Sequence, residues 1–223
     1  MDELIEKIGY CVERGKVDKA SPFPADMKGL EGADELTQQA IIAGVAPDRI
    51  LSGCIGGMER VGERFSRNEV FVPEMLMAAK AMKSVTTRLK PFFQSGTVHA
   101  KGTFIIGTVA GDLHDIGKNL VSMFIEGNGW SVVDLGVDVK SAKFMDAIGK
   151  NPGCVVGLSA LLTTTINAMA VTVKEIRSHY PEMKIIVGGA PLSETIAKDL
   201  GASGYARDPQ AAVSWLSTVG IAA

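Results

Sequence analysis

The chain has 223 residues, 46% hydrophobic and 22% charged, with a formal net charge of −2. That length suits one large domain or two small ones, and the composition is that of a folded globular protein, which excludes disorder, collagen and coiled coil. Charge is balanced along the chain with no basic patch or tail, which argues against nucleic acid, and apolar runs such as Cys154–Leu158 are far shorter than the roughly 20 residues of a membrane helix.

The first residues lack a basic segment followed by an apolar core, so no secretory signal is expected. Three cysteines, Cys11, Cys54 and Cys154, lie far apart in sequence and fit a reducing cytoplasm better than a disulfide framework or a zinc site. Leu4, Ile5, Ile8, Cys11 and Val12 recur at helical spacing, as do Leu36, Ala40, Ile41 and Val45. Between them, Ser21 to Gly32 breaks the pattern and reads as a loop. A third helix is predicted from Pro47 through Phe65, opened by a proline suited to the first turn. A fourth starts near Pro73-Glu74 and carries Leu76, Ala79, Ala81, Met82 and Val85, with Pro91 at or after its end. Four such amphipathic helices bury one another's stripes as a small bundle over residues 1–93. Residues 94–101 are small and polar and read as a linker.

From residue 102 the period changes. Short β-branched runs at Thr103–Val109, Ser131–Leu135, Cys154–Leu158 and Lys184–Gly188 alternate with helical patterns, and a weaker fifth strand is expected near Gly204-Tyr205, before a last helix through Trp215. The fold class is therefore α/β over 102–223, a doubly wound, flavodoxin-like (Rossmann-like) five-stranded parallel sheet of order 2-1-3-4-5, behind the helical bundle. In such a sheet ligands bind beyond the carboxyl ends of the strands, at the switch point between strands 1 and 3. Strand 1 leads into Gly111-Asp112-Leu113-His114-Asp115-Ile116-Gly117, strand 3 into Ser159-Ala160-Leu161-Leu162-Thr163-Thr164-Thr165, and strand 4 ends in Gly188-Gly189.

Familiar readings of the first loop fail. A P-loop needs four residues between its glycines and a hydroxyl after the lysine; here five separate Gly111 from Gly117, and Asn119 follows Lys118. No G-x-G-x-x-G is present. A receiver domain wants an acidic residue at the end of strand 3. His114-Asp115 resembles an HD-type phosphohydrolase signature, but those metal sites need several further His and Asp residues, and only His99 and His179 remain. What is left is His114 as a metal ligand, with Asp112 two residues before it to hold its other ring nitrogen and Gly117 to admit a large group.

Asp112-x-His114-x-x-Gly117, Ser159-x-Leu161 and Gly188-Gly189 together resemble the signature of cobalamin-binding domains similar to that of methionine synthase. The resemblance implies a cobalamin or related corrinoid, cycling between Co(I) and methyl-Co(III), bound base-off and His-on. By that resemblance His114 is the cobalt ligand, Asp112 its hydrogen-bond partner and Thr165 the third member of a relay. Ser159, Leu161, Thr163, Gly188 and Gly189 contact or make room for the buried nucleotide tail, and Leu113, Asp115, Ile116, Tyr205 and Ala206 complete the carrier side. Met58–Phe65 and Phe71–Ala79 resemble the helical cap of the same proteins, which implies that Met58, Val61, Gly62, Phe65 and Val72 face the cofactor, although Met58, Val61 and Phe65 also fit a plain bundle core. The segment 21–32 departs from the usual cap.

The resemblance implies a methyl-carrying corrinoid subunit of a three-component methyltransferase system rather than a complete enzyme. Its partners would be a substrate-specific methyltransferase, a second methyltransferase acting on tetrahydrofolate or coenzyme M, and a reductive activator of the corrinoid, with 94–101 as a hinge. The alternatives are an adenosylcobalamin mutase small subunit and a non-catalytic cobalamin-responsive regulator.

Overall fold

A computed structural model describes residues 2–94 and 99–219. The chain divides into two compact units, residues 1–99 with 127–129, and residues 100–126 with 130–223.

The first unit is helical: α1 (Asp2–Arg14), α2 (Ala33–Ile42), α3 (Pro47–Ser66) and α4 (Val72–Gln94), with a 3₁₀ turn at Ala25–Met27. The apolar stripes read from the sequence are its core, with Ile8, Val12, Ala40, Ile50, Cys54, Met82 and Val85 all buried. Helices α1 and α3 approach closely at glycines. A Cβ on Gly9 would lie 2.6 Å from the carbonyl oxygen of Gly53, and one on Gly57 would collide with the carbonyl of Gly9. The fourth helix continues past Pro91, which sits inside its last turn, since a proline near a helix end removes one amide bond without ending the coil. The segment expected as a loop is held at several points. Lys16, fully buried, donates from Nζ to the Ser21 carbonyl at 2.8 Å, and Arg14 grips both carboxylate oxygens of Asp26 at 2.9 Å. Glu35 closes the start of α2 by accepting from the Gly32 and Lys19 amides.

The second unit is a five-stranded, all-parallel sheet of order β2-β1-β3-β4-β5: β1 (Thr103–Thr108), β2 (Ser131–Asp134), β3 (Val155–Ser159), β4 (Lys184–Gly188) and β5 (Gly204–Ala206). Alternate residues face opposite sides. Ile105, Val156, Leu158, Ile185 and Val187 point to a core shared with α6 (Ser141–Lys150), α7 (Ile166–His179) and α8 (Glu194–Asp199). Phe104, Ile106, Val155 and Ile186 point to a core shared with α5 (Ile116–Gly127) and α9 (Pro209–Thr218). The fifth strand is short but paired, through Ile186, Val187 and Gly188. The linker expected at 94–101 begins inside α4, and residues 95–98 lie outside the described residues. Among the described residues no helix is long and apolar enough to cross a membrane.

Candidate functional site

The site forms where β1 and β3 end side by side, with Thr108 opposite Ser159 and Ser159 opposite Gly188. Strand order reverses here: the chain leaves β1 for β2 on one side and enters β3 on the other, so the loops after β1 and β3 diverge and leave a crevice.

Asp112 is the centre of the arrangement and is fully buried. Its Oδ1 accepts from the His114 amide at 3.1 Å and from His114 Nδ1 at 2.8 Å. Its Oδ2 accepts from the Leu161 amide at 2.7 Å, the Leu162 amide at 3.3 Å and Thr165 Oγ1 at 2.9 Å. Burial pushes its acidity in the protonated direction, but the hydrogen bonds from Leu161, His114 and Thr165 outweigh it and hold the carboxyl well below the usual carboxylate range. An anion of this kind fixes the proton of His114 on Nδ1 and leaves the Nε2 lone pair available. The imidazole side chain remains 50% exposed, and Thr108 Oγ1, itself buried, donates to the His114 carbonyl at 2.8 Å. Thr165 Oγ1 also lies 2.8 Å from the Leu162 carbonyl, so its single proton is shared between that oxygen and Asp112.

Leu113 and Ile116, on either side of His114, are 72% and 80% exposed, and Leu161 and Leu162 are also exposed. The imidazole therefore stands on an apolar surface. Beside it opens a cavity of about 640 Å³ between the ends of β1, β3, β4 and β5 and the helices α5 and α9. Its deeper wall is apolar, from Phe104, Ile106, Leu120, Leu158, Ile186 and Ala212. Of the residues expected at the site, Leu113, His114, Asp115, Ile116, Gly117, Ser159, Leu161, Gly188, Gly189, Tyr205 and Ala206 line it. Asp112 and Thr165 lie behind His114 rather than in the lining. Thr163 opens a 3₁₀ turn, Thr163–Thr165, with its side chain exposed, and is not among the lining residues.

The glycines do different things. A Cβ on Gly117 would meet nothing within 4 Å, so the lack of a side chain there leaves free space at the cavity. Gly189 has φ +133°, and a Cβ on it would run into the Ala160 carbonyl. It is glycine because β4 and the β3 loop approach at the backbone, a reason separate from leaving room for a ligand.

In the helical unit, Met58 and Val61 are fully buried and Gly62 is buried on α3, Phe65 is half-buried near its end, and Val72 opens α4 with 39% of its surface exposed beside Phe71 at 64%. Met58 and Val61 thus have the burial of bundle core, while Phe71 and Val72 form an apolar exposed corner.

Sequence reading missed several contributors. The Leu161 and Leu162 amides carry no side-chain signature. Lys118, buried in the cavity wall, donates to Asn119 Oδ1 at 2.6 Å and pairs with Asp134. Asp138, in the loop after β2, accepts from the Gly111 amide at 2.7 Å.

Among the described residues no group of three or more His, Cys, Asp or Glu side chains can hold a metal ion. A metal at His114 would have one protein donor among the described residues, which fits an ion that brings most of its own donors with it. The open space at Gly117, the apolar surface around the imidazole and the cavity beside it fit a large planar group with an appended tail.

Comparisons with known proteins agree. Residues 102–214 match the family model described as a B12 binding domain, and residues 30–90 match a second model of the same description. The chain is 36% identical over 216 residues to the dimethylamine corrinoid protein of Methanosarcina barkeri, covering 96% of this chain and 95% of that one. A cobalamin-binding protein from Desulfitobacterium hafniense aligns with a TM-score of 0.76 at 25% identity, over 96% of this chain and 97% of that one. The methanol:cobalamin methyltransferase complex of Methanosarcina barkeri aligns with a TM-score of 0.78 at 27% identity, over 98% of this chain and 81% of that one. With matching domain models over both parts of the chain and a full-length relative at this identity, the chain belongs to the B12-binding corrinoid proteins.

Proposed function

We propose that the chain is a methyl carrier, with His114 as the protein ligand to cobalt and the corrinoid's own lower base displaced into the cavity beside it, the base-off, His-on mode. The observation that carries this reading is the clamp on His114, in which a buried carboxylate holds Nδ1 at 2.8 Å while the ring stays half exposed on an apolar surface. In this reading residues 102–223 hold the cofactor, 1–93 are a cap and 94–101 join them, with Met58, Val61, Gly62, Phe65 and Val72 as the cap's contacts.

When bound, the corrinoid supplies a cobalt that accepts and gives up a methyl group. His114 presents the Nε2 lone pair, and Asp112 keeps the proton on Nδ1. Thr165 donates to Asp112 and moderates how strongly that carboxylate draws the Nδ1 proton. Ser159, Leu161, Gly188, Gly189, Tyr205 and Ala206 border the tail.

The methyl group would arrive from a substrate-specific methyltransferase and leave to a second one acting on tetrahydrofolate or coenzyme M, with a reductive activator restoring oxidised cofactor. Similarity over 96% of the chain to a protein named for dimethylamine supports the carrier reading over a mutase subunit or a regulator.

The test is spectroscopic. Protein loaded with hydroxocobalamin should show the visible spectrum of histidine-ligated cobalamin, and His114→Ala should shift it. Identical spectra would remove His114 as the ligand. Passage of labelled methyl through the loaded protein to tetrahydrofolate or coenzyme M, given the partner enzymes, tests the carrier role separately.

A further inference from the structure

We infer that Asp138 is a positioning residue for His114, acting through the loop that carries it; the inference deepens the reading above and rests on it where cobalt ligation is measured. Asp138 lies between β2 and α6 and has φ +51°, a left-handed backbone that aspartate and asparagine tolerate better than most residues. That conformation turns its two polar groups toward the β1 loop. Oδ1 accepts from the Gly111 amide at 2.7 Å, and its own amide donates to the Asp112 carbonyl at 3.0 Å. Asp138 therefore holds the residue before Asp112 with its side chain and Asp112 itself with its main chain.

Neighbouring bonds make this a strap rather than an isolated contact. Thr108 donates from its amide to the Gly136 carbonyl, and the Val139 amide donates to the Thr108 carbonyl. Thr108 Oγ1 in turn holds the His114 carbonyl. The far side of Asp112 is fixed by the Leu161 and Leu162 amides. The β1 loop is thus gripped from β3 through the Asp112 side chain and from the β2 loop through Asp138. Gly111, with φ +81°, is the point where the chain turns under that second grip. Without the Oδ1 contact the turn at Gly111 is free to relax, and the Asp112 carboxylate with it.

Two substitutions separate the hydrogen bond from the backbone. Asp138→Asn keeps an acceptor oxygen and tolerates the positive φ. Asp138→Gly suits that φ even better and keeps the amide, but has nothing to accept from Gly111. Both should fold, which thermal unfolding verifies.

The first readout uses the apoprotein. Nitrogen-15 shifts of the neutral His114 ring report the fraction protonated on Nδ1, which should be high in wild type and Asp138→Asn and should fall in Asp138→Gly. The second is the dissociation constant for hydroxocobalamin from spectral titration, expected to rise about tenfold in Asp138→Gly, the low end of what partners of a metal ligand cost, and to change little in Asp138→Asn.

Wild-type ring shifts and affinity in Asp138→Gly would overturn the inference, as would Asp138→Asn behaving like Asp138→Gly. If His114→Ala leaves the loaded spectrum unchanged while the apoprotein ring shifts respond as stated, the cobalt-ligand reading fails and the positioning role stands.

Discussion

The two units use polar contacts in different ways. In the helical unit the buried Lys16 holds the Ser21 carbonyl, the partly buried Glu35 holds the Gly32 and Lys19 amides, and the exposed pair of Arg14 and Asp26 closes the same stretch. These contacts hold a loop and a helix start. In the α/β unit Thr108, Asp112 and Thr165 are all buried at the carboxyl end of the sheet, Thr108 and Asp112 each bonded to His114 and Thr165 bonded to Asp112. Polar burial that converges from two sequence-distant segments on one exposed imidazole is organised around a task. Polar contacts that close loops one at a time are organised around folding.

The sharpest test of that contrast is Asp112→Ala. It leaves the Leu161 amide without its acceptor and the Thr165 hydroxyl with only the Leu162 carbonyl, and stability in urea should fall by about 3 kcal/mol, with the histidine-ligated spectrum lost. The carboxyl is held low in the folded state, so its contribution is complete above the unfolded value of roughly 3.9 and is lost as pH falls below it. Unfolding followed against pH should show a steeper acid limb in wild type than in Asp112→Asn. An equal limb in both would mean that the cluster does not hold the carboxylate as described.

Gly57→Ala probes the other unit. Its new Cβ would press on the Gly9 carbonyl, and a loss of about 2 kcal/mol is expected, read as a lower Tm with the cobalt ligation spectrum intact. A changed spectrum at unchanged Tm would show that the crossing of α1 and α3 serves the site and not the bundle.

The smallest stability effect belongs to Gly117→Ala. Nothing crowds that position and it lies in the first turn of α5, so the apoprotein should change by less than about 1 kcal/mol, toward greater stability. Cobalamin affinity should nevertheless drop. Retained affinity would mean that the space beside Gly117 is not used.

Much of this was legible in the sequence because it depends on side chains. The β-branched runs gave four strands and the strand order, and Asp112-x-His114-x-x-Gly117 brought His114 and its hydrogen-bond partner together within one loop. What was not legible depends on main chain. The Leu161 amide is as important to Asp112 as any side chain, yet any residue supplies an amide. Asp138 is 26 residues beyond Asp112 and meets it only because β2 lies beside β1. The glycines at which α1 and α3 touch, Gly9, Gly53 and Gly57, were not legible either, because their pairing requires knowing how α1 crosses α3. Pro91 suggested a helix end because a proline's effect depends on how near the terminus it falls, and here it falls in the last turn.

The hydrogen bonds on Asp112 also have a thermodynamic consequence. They connect residues 112, 114, 161, 162 and 165, so the loop bearing His114 cannot open without detaching from the end of β3. Its conformational entropy is surrendered when the sheet forms and not when a cofactor arrives. The loop's order therefore belongs to the cooperative unit of the sheet, and the imidazole inherits the stability of the fold before any ligand contributes its own.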